Sequence, residues 1–146
     1  MNPMYSEKLP GLTLQKNFSA VKLRGYGTVA GKYWTDATGG SLVQITCADT
    51  EHARLVQAKY LSDLGELPPA TKPGQITVRG TKVNIQTAED VGAVAALRNS
   101  TTVILAAAKN SAALAQLITN GISADLSTWT SQAEGKVPML LDRFDK

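Results

Sequence analysis

The chain contains one cysteine and one histidine, Cys47 and His52, and these side chains are the best suited to covalent chemistry. A thiol activated by an imidazole needs the two groups within hydrogen-bonding distance, in a cleft that admits a substrate. A separation of five residues along the chain does not establish that contact. Cys47 also shares an alternating apolar face with Val43 and Ile45, which is typical of a half-buried strand. The sequence therefore favours a buried, unreactive thiol and predicts no catalytic residue.

The residue types of this chain give little indication of a metal site or a cofactor site. One histidine, one cysteine and scattered carboxylates form no set of metal ligands. The adjacent carboxylates Glu89 and Asp90 belong to a capping-box pattern that begins at Thr87, so helix capping accounts for them. We therefore predict neither a metal site nor a cofactor. Whether the chain is an enzyme stays open at this stage, although the pattern favours a role without catalysis.

The glycine-rich run GYGTVAGK at residues 25–32 is the strongest candidate for a ligand site. It departs from the phosphate-loop pattern, because Tyr26 replaces the first glycine and Tyr33 follows the lysine where Ser or Thr is required. Exposed amides beside Arg24 and Lys32 would still suit a phosphate or a carboxylate. The alternative is a turn or bulge of a β-hairpin that binds nothing. The predicted anion-binding residues are Arg24, Gly25, Tyr26, Gly27, Gly31, Lys32 and Tyr33.

Cations and aromatic residues are interleaved over residues 16–34, which suggests a second kind of partner. Such a surface can bind single-stranded nucleic acid, because bases stack on aromatic rings while lysine and arginine neutralise phosphates. The net charge of +3 is too small to require a nucleic acid, so this hypothesis is not favoured. The residues involved are Lys16, Phe18, Lys22, Arg24, Tyr26, Lys32, Tyr33 and Trp34.

Length and composition limit the class of protein. A chain of 146 residues is long enough for one domain with its own core. A single cysteine excludes an intramolecular disulfide and suits a reducing compartment. No apolar run approaches the roughly 18 residues that a membrane-spanning helix needs, and residues 1–20 lack the apolar segment of a signal peptide. We therefore expect a soluble, cytoplasmic protein without a membrane partner.

The stretch from Ser41 to Gly65 predicts a strand that leads directly into a helix. Residues 41–48 alternate as a strand does, and Asp49 or Thr50 is suited to cap the helix that follows. Gly65 is suited to the C′ position that ends it. Because an amphipathic helix after a half-buried strand has one apolar face, we expect it to pack on a sheet.

A second stretch of the same kind lies sixty residues further along the chain. Residues 101–108 are almost continuously apolar, which predicts a central strand covered on both faces. Asn110 or Ser111 is suited to cap a helix that extends to about residue 119. The two stretches suggest a near-repeat, and whether it reflects a true duplication stays open.

The segment between these stretches predicts a hairpin and then a helix. Apolar and polar residues alternate over residues 76–87 on both sides of Gly80-Thr81, which predicts a two-residue type II′ turn. The capping box at Thr87 then predicts a helix to about Arg98, with a face of glycine and alanine.

These elements predict a single α+β domain over residues 1–146. We expect a mainly antiparallel sheet with two or three helices packed on one face, and two strand-strand-helix half-repeats are one interpretation of it. Residues 1–17 are predicted to form an irregular arm, and residues 136–146 an apolar C-terminal segment.

Such a chain is expected to be a non-enzymatic structural or assembly protein that self-associates as a homo-oligomer. Small residues over 88–98 and 111–119 suggest helix faces that allow close approach between subunits. An anionic small molecule bound at residues 24–33 is the first alternative function, and single-stranded nucleic acid is the second. The predicted interface residues are Leu114, Leu117, Ile118, Met139, Leu140 and Phe144.

Overall fold

The computed structural model describes residues 9, 11–23, 27–66, 71–88, 92–122 and 126–131. These residues form one seven-stranded antiparallel sheet with the strand order β1-β2-β3-β7-β6-β5-β4. Two α-helices and a short 3-10 turn complete the described chain. The strands are β1 (Leu12–Leu23), β2 (Gly27–Asp36), β3 (Ser41–Thr46), β4 (Lys72–Val78), β5 (Thr81–Ala88), β6 (Gly92–Asn99) and β7 (Thr102–Ala108). The helices are α1 (Thr50–Glu66) and α2 (Ser111–Gly121), and the 3-10 turn spans Leu126–Thr128.

The predicted α+β fold with its helices on one face is wrong. Strands dominate the described residues, and the two helices lie on opposite faces of the sheet. Neighbouring residues of β7 demonstrate this, because Val103 packs in the cluster beneath α1 and Ile104 packs in the cluster beneath α2. Successive side chains of a strand point to opposite faces. The sheet is therefore a central layer with one helix on each side.

The helix predicted over residues 87–98 is also wrong, because Gly92–Asn99 is strand β6. Ala93, Ala95 and Leu97 pack in the cluster of α2, while Ala96 is fully buried on the other face. A strand that is covered on both faces loses the alternation of apolar and polar residues, so its pattern resembles that of a buried helix. The small-residue helix face that was predicted here for self-association does not exist.

Both predicted strand-helix stretches are confirmed. Strand β3 leads into α1, and the Asp49 carboxylate accepts the His52 amide at 2.8 Å as the N-cap. Strand β7 leads into α2, and the Asn110 side chain accepts the Ala113 amide at 2.8 Å in the same role. Gly65 lies within α1 and is not its C′ residue.

The strand-strand-helix half-repeats suggested by the sequence are not seen, although the two strand-helix stretches are neighbours in the sheet. β3 and β7 pair at the centre of the sheet, and each is flanked by its own preceding strand, β2 or β6. Each unit has three strands and one helix, β1-β2-β3-α1 and β5-β6-β7-α2, whereas two strands were expected. The extra strand β4 lies beyond β5.

The hairpin predicted over residues 76–87 is confirmed, but its turn differs from the prediction. Val78 pairs with Thr81, so the two central residues are Arg79 and Gly80, with φ of 48° and 82°. Positive φ at both positions is the mark of a type I′ turn. The Arg79 guanidinium then donates to the carbonyl oxygens of Thr119 and Ile122 at the C-terminal end of α2, where a cation is favoured.

The sheet divides between β5 and β6. Only three pairs join these strands, Gln86 with Val94, Thr87 with Ala93 and Ala88 with Gly92. Beyond them, residues 81–85 and 95–99 border a gap that we call the fork. Residues 126–131, the C-terminal strap, enter it, because Arg98 and Thr130 exchange two backbone hydrogen bonds of 2.8 Å. The Asn84 amide also donates to the Ser131 hydroxyl at 2.9 Å.

One buried side chain of α1, that of Gln57, forms hydrogen bonds with the backbone at the fork. Gln57 is 1% exposed, and its Nε2 atom donates to the carbonyl oxygens of Ala96 at 2.9 Å and Thr130 at 2.8 Å. Leu126 and Trp129 of the strap are buried in the cluster of α2. The Gln57 side chain therefore links helix α1, strand β6 and the strap through hydrogen bonds.

The ends of the chain are described only in part. β1 begins at Leu12, so residues 12–17 of the predicted irregular arm are strand. Leu9 packs in the core cluster of α2, while residues 1–8 and the predicted apolar segment 136–146 lie outside the described residues. Within the described part of the chain, neither helix has the length and apolarity needed to cross a bilayer.

Candidate functional site

Cys47 lies in the packed core and not in a cleft. Its side chain is 6% exposed and belongs to the cluster beneath α1 with Val29, Ile45 and Ala53. Burial, with a smaller effect of the Asp49 carboxylate, raises the pKa of the thiol from 9.0 to about 11. A thiol in this state is protonated at neutral pH and is a poor nucleophile.

His52 is held by the cap of α1. Its Nδ1 atom lies 2.8 Å from the Asp49 carboxylate, which also accepts the His52 backbone amide. Hydrogen bonds from that amide and from the ring lower the pKa of Asp49. No hydrogen bond links the Cys47 thiol to the imidazole in the described structure, and no group of metal-ligating side chains was found among the described residues.

The glycine-rich run lies on the hairpin of β1 and β2. Gly27, Gly31, Lys32 and Tyr33 belong to β2, while Arg24, Gly25 and Tyr26 lie outside the described residues. Gly31 has a packing role, because a Cβ atom there would collide with the Gln44 carbonyl oxygen and would lie 2.7 Å from the Phe18 ring. The glycine permits this close approach of β1, β2 and β3.

A shallow depression of about 160 Å³ adjoins Gly31 and Lys32. It lies where β1 loses its register against β2, between the pairs Phe18–Gly31 and Val21–Val29. Such bulges redirect side chains and are frequent beside functional sites. Tyr33 does not line it. The lining residues are Asn17, Phe18, Ser19, Ala30, Gly31, Lys32 and Thr46.

The basic and aromatic stretch over residues 16–34 does not form one surface. Trp34 is 1% exposed, and its Nε1 atom donates to the Gln44 amide oxygen at 2.9 Å inside the core. A base therefore has no access to the larger aromatic ring of this stretch. Lys32 and Tyr33 are neighbours on β2, so their side chains lie on opposite faces of the sheet.

The predicted interface residues of α2 are core residues. Leu114, Leu117 and Ile118 are each 0% exposed and pack against the sheet of their own chain. Their burial means that these three side chains form no exposed apolar surface on α2. Met139, Leu140 and Phe144 lie outside the described residues. Ala112 and Gln116 are among the exposed residues of α2.

The feature that the sequence did not reveal is the outer edge of β1. This strand lies at one end of the sheet, has 12 residues, and pairs only with β2 among the described strands. Residues 13–17 are exposed, and Leu14 is 37% exposed. The opposite edge is β4, which has 7 residues and contains Pro73. No local sequence pattern shows that a strand lies at an edge, because this depends on the order of all the strands.

Comparison with known proteins adds no further assignment, since no family model, curated protein or solved structure matches this chain.

The buried thiol generates a prediction about stability at high pH. The unfolded chain releases the thiol proton near pH 9, and the folded chain releases it near pH 11. Between these values the unfolded state binds fewer protons, so the free energy of unfolding should fall as the pH rises. Denaturant unfolding at a series of alkaline pH values should show a smaller fall for Cys47→Ala than for the wild type. Parallel curves for the two proteins would contradict a buried, protonated thiol.

Proposed function

We propose that this chain is a non-enzymatic assembly protein that self-associates through the edges of its sheet. The observations that support this proposal are the 12-residue length of β1 at the end of the sheet and the exposure of residues 13–17, among them Leu14. An edge strand presents a row of unpaired amides and carbonyls, which another strand can satisfy. Natural proteins usually keep such edges short.

The route of association differs from the one that the sequence suggested. The helix expected at residues 88–98 is strand β6, and the apolar side chains of α2 are buried in the chain itself. Strand addition needs neither helix face, because backbone hydrogen bonds supply the contact. We propose the cytoplasm as the location, since an unpaired cysteine suits a reducing compartment.

Self-association can be tested by light scattering on the purified protein over a range of concentrations. We expect a mass well above that of one 15.5 kDa chain. Leu14→Lys should lower this mass, because a desolvated charge at the edge opposes strand addition. Ala112→Lys adds the same charge at an exposed position of α2 and should leave the mass unchanged. A monomer at every concentration, or dissociation caused by the α2 substitution alone, would contradict the proposal.

Binding of an anionic small molecule is a second candidate function, and the depression beside β1 favours it. The residues that line it include Lys32, Asn17, Ser19 and Thr46, and none of them is acidic. Ammonium, amide and hydroxyl groups all donate to oxyanions. Two of the predicted anion-binding residues, Gly31 and Lys32, lie there.

Inorganic phosphate is a suitable probe for this second function. At constant ionic strength, phosphate should raise the melting temperature of the wild type, because a ligand that binds only the folded state stabilises it. Lys32→Ala should abolish the rise, whereas Lys82→Ala, at an exposed lysine of β5, should keep it. An equal rise in both variants, or none in the wild type, would refute an anion site at this depression.

A further inference from the structure

We infer that the depression beside β1 binds a small aromatic carboxylate, a molecule with one planar ring of benzene size and one carboxylate group. This inference rests on the anion-binding function proposed above, and it names the class of ligand for the same site. The charged and polar residues of the lining suit the carboxylate, and the other lining residues suit the ring.

The polar part of the lining matches a single negative charge. Among the described lining residues, Lys32 is the one charged residue, and Asn17, Ser19 and Thr46 add amide and hydroxyl donors. Asn17 lies opposite Lys32 in the register of β1 against β2, so these two side chains lie on the same face of the sheet. A hydrogen bond between an ammonium and a carboxylate is roughly twice as strong as one between neutral groups.

The rest of the lining offers contact to an apolar ring. It consists of Phe18, Ala30 and Gly31. The Phe18 ring is half-buried and lies against Gly31, since a Cβ atom built at Gly31 would be 2.7 Å from the Phe18 Cζ atom. Aromatic rings pack favourably against one another in offset or edge-to-face arrangements. Inorganic phosphate gains nothing from this part of the lining, whereas an aromatic carboxylate uses it.

A β-bulge in the backbone borders the depression. Between the two pairs that flank it, residues 19 and 20 of β1 both lie opposite Ala30 of β2. A bulge of this kind bends its strand and interrupts the ladder. On its other side, β2 keeps regular pairing with β3, where Ala30 lies opposite Thr46. Because the irregularity is in the backbone, the ligand does not have to create it on binding.

The volume of the depression agrees with a ligand of one ring. It is about 160 Å³. An apolar cavity of about 150 Å³ accepts one benzene molecule. Inorganic phosphate fills only part of this space, and a nucleotide, with its base, sugar and phosphate, is much larger than benzene. Benzoate combines a ring of the fitting size with the carboxylate that Lys32 favours.

Isothermal titration calorimetry on the purified chain tests this inference, with sodium benzoate as the probe. Benzoate should bind roughly ten-fold more tightly than acetate, which has the carboxylate without the ring. It should also bind more tightly than benzyl alcohol, which has the ring without the charge. Inorganic phosphate is titrated in parallel at the same ionic strength.

Two substitutions separate the two parts of the site. Phe18→Leu should lower the preference for benzoate over acetate several-fold, because it removes the aromatic contact. Lys32→Ala should weaken both carboxylates by a similar factor, because both lose the same cation. The matched controls are Ile76→Val, at a half-buried position of β4, and Lys82→Ala, at an exposed position of β5. Neither control should change the affinity for benzoate.

The outcomes separate this inference from the anion-binding function. If phosphate binds through Lys32 but benzoate binds no more tightly than acetate, the anion site stands and the aromatic ligand is wrong. If Phe18→Leu keeps the full preference for benzoate, or Ile76→Val loses it, the ring does not lie against Phe18 and this inference fails. If neither phosphate nor a carboxylate binds the wild type, the anion-binding function fails, and this inference fails with it.

Discussion

The arrangement of this sheet depends on one constraint, which is that the backbone groups buried at the fork need hydrogen-bond partners. The buried side-chain amide of Gln57 supplies such a partner. Where β5 leaves β6, the backbone of β6 loses a neighbour, and buried carbonyls without partners cost about 1–3 kcal/mol each. Gln57 donates to Ala96 at 2.9 Å, and the strap supplies Thr130 to Arg98. Because the same amide also donates to Thr130, helix α1 holds the strap in the fork.

This division of the sheet has consequences at both edges. The hairpin of β4 and β5 leaves β6 and reaches α2, whose C-terminal carbonyls accept from Arg79. Its edge is short and contains Pro73. The opposite edge, β1, is long and exposes Leu14. The asymmetry between the two edges, rather than any reactive side chain, is the feature on which our proposal of self-association rests.

Part of this fold could be predicted from local patterns, and the rest depends on tertiary contacts. The caps Asp49 and Asn110 were predictable because a short polar side chain before an apolar run has a local effect. Strand β6 was not, because its alanines are covered on both faces and show no strand period. The burial of Gln57 was not predictable either, since nothing in the sequence indicates the distant carbonyls of Ala96 and Thr130.

The candidate site, like the fold, could be predicted only in part. The alternation of Val43, Ile45 and Cys47 was sufficient to predict a buried thiol, which the structure confirms. The glycine-rich run stays a predicted ligand site, and the sequence could not show that Gly31 also permits the close approach of Phe18 and of the Gln44 backbone. Exposure of the β1 edge could not be predicted, because a strand acquires or lacks a second neighbour only when the order of all seven strands is known.

The most direct test of the fork is hydrogen exchange at the amides of Arg98 and Thr130 in Gln57→Ala. Each of these amides donates to the carbonyl oxygen of the other residue at 2.8 Å. If Gln57 holds the strap in the fork, both amides should lose protection together, by roughly ten-fold, because two hydrogen bonds are removed and a buried carbonyl left without a donor costs about 1–3 kcal/mol. The amides that pair β3 with β7 should keep their protection from exchange. Unchanged protection at both positions, or an equal loss throughout the sheet, would contradict this account.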